Sequence, residues 1–399
     1  MKIFWYFLHN IISKIGNKIT SIAILFILIS NFSKNSLSIS ILLFSIDPII
    51  NIFFSRLYSK IISRYQKFGI LVFLDFISAI FIFLVFLFSK NILLMFIFYI
   101  LLSIVVNLSS RYSKGLFFNL TKNTIKEEWY YKINSRINTI LSIVAPSISS
   151  FIITKIGNEN AFIFDGVSFM IGGIIYLLIL DKLKEITQSK VKESISEKSV
   201  NIRSKEEYKF MYMLSKCSND FKFICTLFIA VSFITNFEEP LIFNYLSLER
   251  SFSKELIGIS LSIFSVGMFL GSFIYDYIPK NTLGLFACVV LDGFFSFFLS
   301  INIYRWLIVF FYMLQGIMAT VIMIYFSVSI QKEFETNDFF MQFDNQLNKV
   351  LSFFSLASYF CGFLLSNIIS DSSIFLKILA ILEILTAIFY LYRWKVINK

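Results

Sequence analysis

Histidine is almost missing from this sequence: His9 is the only one in 399 residues. A single imidazole cannot build a histidine-based metal centre. The four cysteines, Cys217, Cys225, Cys288 and Cys361, include no CxxC pair and fall mostly in apolar stretches. They read as small core residues, not as a disulfide frame or metal site, and no cofactor is expected. Charge is scarce too, at 15% of residues against about 25% in soluble proteins. With 57% hydrophobic residues, against about 45–50% in soluble chains, that excludes an ordinary soluble enzyme. Only 14 Gly and 4 Pro exclude collagen-like and Pro/Gly-rich disordered classes. No G-x-x-x-x-G-K-[ST] loop is present to cradle ATP phosphates, which disfavours primary transport.

What is abundant is phenylalanine, at 51 residues, in a chain of mean hydropathy +0.77. A helix needs about 20 apolar residues to cross the hydrocarbon core. Twelve stretches meet that need: 11–32, 36–54, 69–89, 91–110, 134–154, 160–180, 222–246, 256–276, 282–304, 306–330, 350–370 and 374–392. The first is followed by no small-residue cleavage site and reads as a retained helix. Six stretches precede Asp181 and six follow Asp220. The segment between is the only long hydrophilic one, rich in Ser, Lys and Glu, and reads as a solvated linker with room for a short surface helix. The expected organisation is an N-terminal six-helix bundle over 1–182, a cytoplasmic linker over 183–220 and a C-terminal six-helix bundle over 221–399. Two such halves are the layout of a parallel-repeat secondary transporter.

The net charge of +11 would suggest a nucleic-acid partner in a soluble protein. Sorted by loop, 29 of the 36 Lys and Arg residues fall on one side of the twelve spans and 7 on the other. By the positive-inside rule that asymmetry places both termini in the cytoplasm of a multi-pass cell-membrane protein, with the lipid bilayer and not nucleic acid as its surroundings.

Several segments carry a family likeness. ISKIGNKITSIAI holds Gly16 and Asn17 where a Gly–acidic pair would open the chain. SKIISRYQKFGILVFLDFISA resembles the loop signature G-x-L-A-D-R-x-x-R-R followed by a helix-3 aspartate, with Ser59 at the glycine position and Ser63 at the aspartate position. Arg64 and Lys67 take its basic positions, and Asp75 is the helix-3 carboxylate. APSISSFIITKIGNENAFIFDGVSFMI, with Pro146, Gly157, Phe162, Asp165 and Phe169, resembles the helix 5 to helix 6 passage. LIGISLSIFSVGMFLGS, with Gly258, Gly267 and Gly271, resembles helix 8. On these residues the chain resembles the major facilitator superfamily, and within it the drug and macrolide efflux-like branch. The resemblance implies an all-α polytopic major facilitator fold of 12 transmembrane helices in two six-helix halves. In that family the loop aspartate is implicated in a charge relay at the inner gate. Ser63 cannot supply that charge.

A charged group at mid-membrane costs about 2.5–3.5 kcal/mol on insertion scales, so each one is a functional candidate. The candidates are Asp47, Asp75, Asp165, Glu238, Glu239, Asp292 and Glu383. Glu238 and Glu239 precede Pro240, which is expected to interrupt helix 7. Adjacent helical residues point about 100° apart, so one of the pair can face a cavity and the other a neighbouring helix. Asp47 precedes Pro48, and Asp292 in VVLDGFFSF echoes Asp75 in VFLDFISAI. Glu238, Glu239, Asp47 and Asp292 are the substrate and proton-coupling candidates. Ser59, Ser63, Arg64, Lys67 and Asp75 form the gating signature, with Asp75 expected to pair with Arg64 or a loop 4–5 cation. Asp165 is expected to pack or cap, Pro146 belongs to the same passage, and Glu383 is expected at the lipid edge or in an interhelical contact.

The expected function is secondary active transport, with proton-coupled efflux of an amphipathic small molecule by alternating access. Nothing in the sequence demands more than a monomer. Uptake of a small nutrient is the alternative within transporters, since direction is not written in a fold. A membrane-embedded lipid-modifying enzyme is the alternative from another class. It would need a polar loop with clustered Asp, His or Arg, which this sequence lacks.

Overall fold

In hydrocarbon every backbone N–H and C=O must find a partner within the chain, and a continuous helix supplies them locally. The computed structural model obeys that constraint throughout. It describes residues 2–32, 36–64, 69–121, 126–195, 210–236, 238–301, 304–334, 337–366, 368–369 and 371–397. The first half contains α1 (Lys2–Asn31), α2 (Ser36–Arg64), α3 (Gly69–Leu87), α4 (Ile92–Thr121), α5 (Lys126–Ile156) and α6 (Ala161–Ile195). The second contains α7 (Phe210–Ser215), α8 (Asn219–Thr235), α9 (Glu238–Asn244), α10 (Lys254–Ile274), α11 (Thr282–Leu299), α12 (Arg305–Glu333), α13 (Asn337–Ser366) and α14 (Ser372–Ile397). Among the described residues 12 stretches are long and apolar enough to cross a membrane, matching the sequence expectation. The seventh, Asn219–Glu249, is assembled from α8, α9 and a π turn over Tyr245–Glu249. The hydrophilic segment is helical at its start, since α6 runs to Ile195, and again near its end, where the short α7 lies.

The chain forms two compact units. One comprises Met1–Ile27 and Phe53–Lys205; the other comprises Leu28–Ile52 and Glu206–Lys399. In the first, α3 packs against α4 and α6, and Phe7, Leu71, Val72, Tyr112, Ile175 and Tyr176 form a core cluster. In the second, α10 crosses α12 closely because neither presents a side chain at the crossing. A Cβ on Gly267 would overlap the Met313 carbonyl oxygen, and one on Gly316 would overlap that of Phe264. Small residues at such a crossing replace the hydrophobic drive that lipid cannot give. The start of α14 is fastened by two carboxylates. Glu249 accepts from the Ser372 and Ser373 amides (2.5 and 3.2 Å), and Asp371 accepts from the Ser373 and Ile374 amides (2.8 and 3.2 Å).

The helix 7 interruption falls earlier than Pro240. α8 ends at Thr235, and the new helix begins at Glu238 with Pro240 as its third residue. Proline in a first turn costs nothing, because those N–H groups have no intrahelical acceptor. The last turn of α8 is satisfied from outside: Ser358 of α13 donates to the Phe233 carbonyl at 2.5 Å.

Candidate functional site

Glu238 opens α9 and is 5% exposed. Its Oε1 accepts from Ser296 Oγ at 3.1 Å and its Oε2 from Gln315 Nε2 at 2.7 Å, while Gln315 also donates to Ser296 Oγ at 2.7 Å. Ser296 and Asp292 are one turn apart on α11, so the same face that holds Glu238 carries a second carboxyl, 4% exposed. Glu383 on α14, fully buried, lies within electrostatic reach of Asp292. Gly293 admits this approach: a Cβ there would stand 2.8 Å from Ile384 Cγ1 and 3.4 Å from Glu383 Oε2. Oδ1 of Asp292, both Glu383 oxygens and Gln315 Oε1 find no hydrogen-bond donor among the described residues.

Three buried carboxyls thus meet one amide and one hydroxyl, with no basic side chain among the partners found for them. Like charges this close repel strongly in a low dielectric. A proton on one of the carboxyls removes one of those charges and turns an acceptor into a donor. Tyr312, one turn before Gln315, is buried within electrostatic reach of Glu238 and Glu239 and stacks on Phe264 at 4.6 Å.

Glu239 and Asp47 are exposed and both lie within electrostatic reach of Tyr359 on α13. Of the Glu238–Glu239 pair, the first is buried among helices and the second is exposed. The contact of Glu383 is the interhelical one of its two expected places. Of the aromatic residues in this half, Phe243, Tyr245 and Tyr325 are core side chains, and Tyr325 donates to the Pro279 carbonyl.

The first unit holds two further buried carboxyls. Asp75 does not pair with a loop cation among the described residues; its partner is His9, with Nε2 2.8 Å from Oδ2. The imidazole lies 4.1 Å from the Tyr176 ring, and Gly172 leaves the room: a Cβ there would sit 2.8 Å from His9 and 3.2 Å from Asp75 Oδ2. His9 reaches Asp75 from the side of α1, and Gly172 removes the obstacle on α6; the side chain of Arg64 and most of the loop 4–5 cations expected to pair with Asp75 lie outside the described residues. Asp165 accepts from Thr20 Oγ1 at 2.5 Å and from Ser168 Oγ at 3.1 Å, with Gly16 against it. His9, Gly16 and Thr20 share one face of α1, and Asp165, Ser168, Gly172 and Tyr176 share one face of α6. Pro146 is buried within α5. Ser59, Ser63 and Arg64 lie in the last turns of α2, but their side chains, and all of Lys67, are outside the described residues.

His9, Ser296 and Gln315 were not singled out by sequence reasoning. Their signal was spacing: Asp292 and Ser296 at i and i+4, and a polar residue at helical spacing opposite each buried carboxylate.

The sequence profile described as the Major Facilitator Superfamily matches residues 6–366. No curated protein matches the chain in sequence. Solved structures share the fold at low identity. A bacterial homologue of the iron transporter ferroportin, in its inward-facing state, is 13% identical over 98% of this chain and 96% of its own, with TM-score 0.68. A bacterial metal transporter is 12% identical over 99% of this chain and 98% of its own, with TM-score 0.68. A POT family transporter in complex with 5-aminolevulinic acid is 12% identical over 100% of this chain and 96% of its own, with TM-score 0.69.

Proposed function

The chain belongs to the Major Facilitator Superfamily and is a multi-pass membrane transporter for a small molecule, and on that premise we propose that it exports an amphipathic substrate in exchange for protons. The observation that carries the proton part is the burial of three carboxyls together, with Glu238 held on Ser296, one turn from Asp292, and Glu383 beside Gly293. Three carboxyls sharing so few donors exchange protons readily once water reaches them. Glu238 stands directly after the helix break, where a small displacement of α9 separates it from α11 and α12. Displacement strips Glu238 of the Ser296 and Gln315 donors, so its preferred protonation state changes with the position of α9. Glu239 and Asp47, both exposed, form the anionic approach to this buried group and suit a substrate with a positive end. The reading also takes the drug and macrolide efflux-like branch, a monomer, a linker over 183–220 and cytoplasmic termini.

A substrate screen in proteoliposomes with an imposed pH gradient tests this reading. The expected result is movement of an amphipathic cation against the proton flow, collapsed by a protonophore. Substrate movement with the proton flow would replace export with uptake, and movement indifferent to the gradient would remove the proton from the mechanism.

A further inference from the structure

A groove of about 550 Å³ opens in the second unit where α10 and α12 begin, lined by Arg250, Leu256, Tyr304, Arg305 and Trp306. We propose that it binds the headgroup phosphate of an anionic phospholipid. Two guanidinium groups border it. Arg250 follows the π turn, with its Cζ 6.0 Å from the Tyr245 ring, and Arg305 is the exposed first residue of α12, with its Cζ 5.7 Å from the Phe252 ring. A ring face lies beneath each guanidinium at the edge of the groove. Guanidinium is the side chain whose planar donors match a phosphate.

The backbone adds donors at the same place. α12 has no side-chain hydrogen bond at its start: the Tyr304 carbonyl takes the Leu307 and Ile308 amides (2.9 and 3.2 Å), and those of Arg305 and Trp306 precede any intrahelical acceptor. Such amides add to the attraction of an anion. The carboxylates of the adjoining turns, Glu249 and Asp371, are committed to the first amides of α14.

The rim selects a lipid over a free ion. Trp306 is 57% exposed, Tyr304 71%, and Leu307 and Phe310 47% each, so an apolar stripe runs from the groove down the outside of α12. Trp and Tyr at the start of a membrane span sit at headgroup depth, with acyl chains beside the residues that follow. A lipid uses both the arginines and this stripe, which continues directly from the groove.

The test uses the purified full-length protein in neutral detergent, with bound lipid counted by native mass spectrometry. Phosphatidylglycerol, phosphatidylcholine and inorganic phosphate are the three probes. Wild type is expected to prefer phosphatidylglycerol over phosphatidylcholine. Arg305→Ala should weaken phosphatidylglycerol about fivefold, and Arg250→Ala/Arg305→Ala about 25-fold, since one basic group at an anionic surface is worth about 1 kcal/mol. Arg305→Lys should retain most of the binding, as the charge remains. Arg305 is exposed, so its single variants report on binding even if Arg250→Ala perturbs folding. Equal binding of the two lipids by wild type, or unchanged phosphatidylglycerol binding in Arg305→Ala, overturns the proposal. Displacement of the lipid by millimolar inorganic phosphate would reassign the groove to a soluble anion and overturn the lipid.

Discussion

The His9→Leu protein is expected to lose about 3–5 kcal/mol of stability, and His9→Leu/Asp75→Leu to regain most of it. His9 and Asp75 are both buried, 2.8 Å apart, within the apolar cluster of Phe7, Leu71, Val72, Tyr112, Ile175 and Tyr176. Taking away one partner leaves the other's facing atom in that cluster without the partner it has among the described residues. Taking away both leaves an apolar site of similar volume, which is near neutral or stabilising. Asp75→Leu alone should fall with the His9 variant, because neutral imidazole still carries a donor that needs an acceptor. Unfolding of the three variants in detergent, compared with wild type, gives the coupling energy directly. Equal stability of His9→Leu and wild type, or simple addition of the two single losses, would show that the pair holds nothing together.

The Glu238→Gln protein is expected to fold and to exchange substrate across the membrane, but to lose accumulation driven by a pH gradient. One pH unit across the bilayer is worth about 1.4 kcal/mol per proton, which is about tenfold in a concentration ratio. Wild type exchanging one proton per substrate should therefore approach about tenfold accumulation per unit of gradient. Glutamine keeps the size and takes up no proton; its one amide oxygen replaces one of the two acceptors, and its NH2 donates instead toward Ser296 Oγ or the unpartnered Gln315 Oε1. Its accumulation should stay flat as the gradient grows, while counterflow without a gradient continues. Loss of counterflow as well would make Glu238 a substrate ligand; tenfold accumulation retained in Glu238→Gln would remove it from coupling.

The helices were plain in the sequence for a single reason. A membrane span must be long, apolar and nearly uncharged, and each such stretch became a helix. The same pressure made the buried carboxylates visible one by one, since a charge survives there only with a use. Their companions were harder to see. Glu383 reads the same whether its face of α14 meets lipid or Asp292, because periodicity gives a stripe and not the identity of what covers it. His9 was set aside because one histidine makes no metal site, yet one is enough for a buried hydrogen bond. Gln315 and Ser296 are neutral and carried no signal of cost, although they hold both oxygens of Glu238. The helix 7 break was anticipated from Pro240, and it lies before the proline because a first turn is where proline fits.

The central claim is that the carboxyls of Glu238, Asp292 and Glu383 carry the exchanged proton. Counting protons tests it most directly: lightly buffered proteoliposomes receive a pulse of substrate, and a pH indicator records what moves. Wild type should move about one proton per substrate, and Glu238→Gln/Asp292→Asn/Glu383→Gln should move substrate with none. The same proton count from the triple variant would contradict the account.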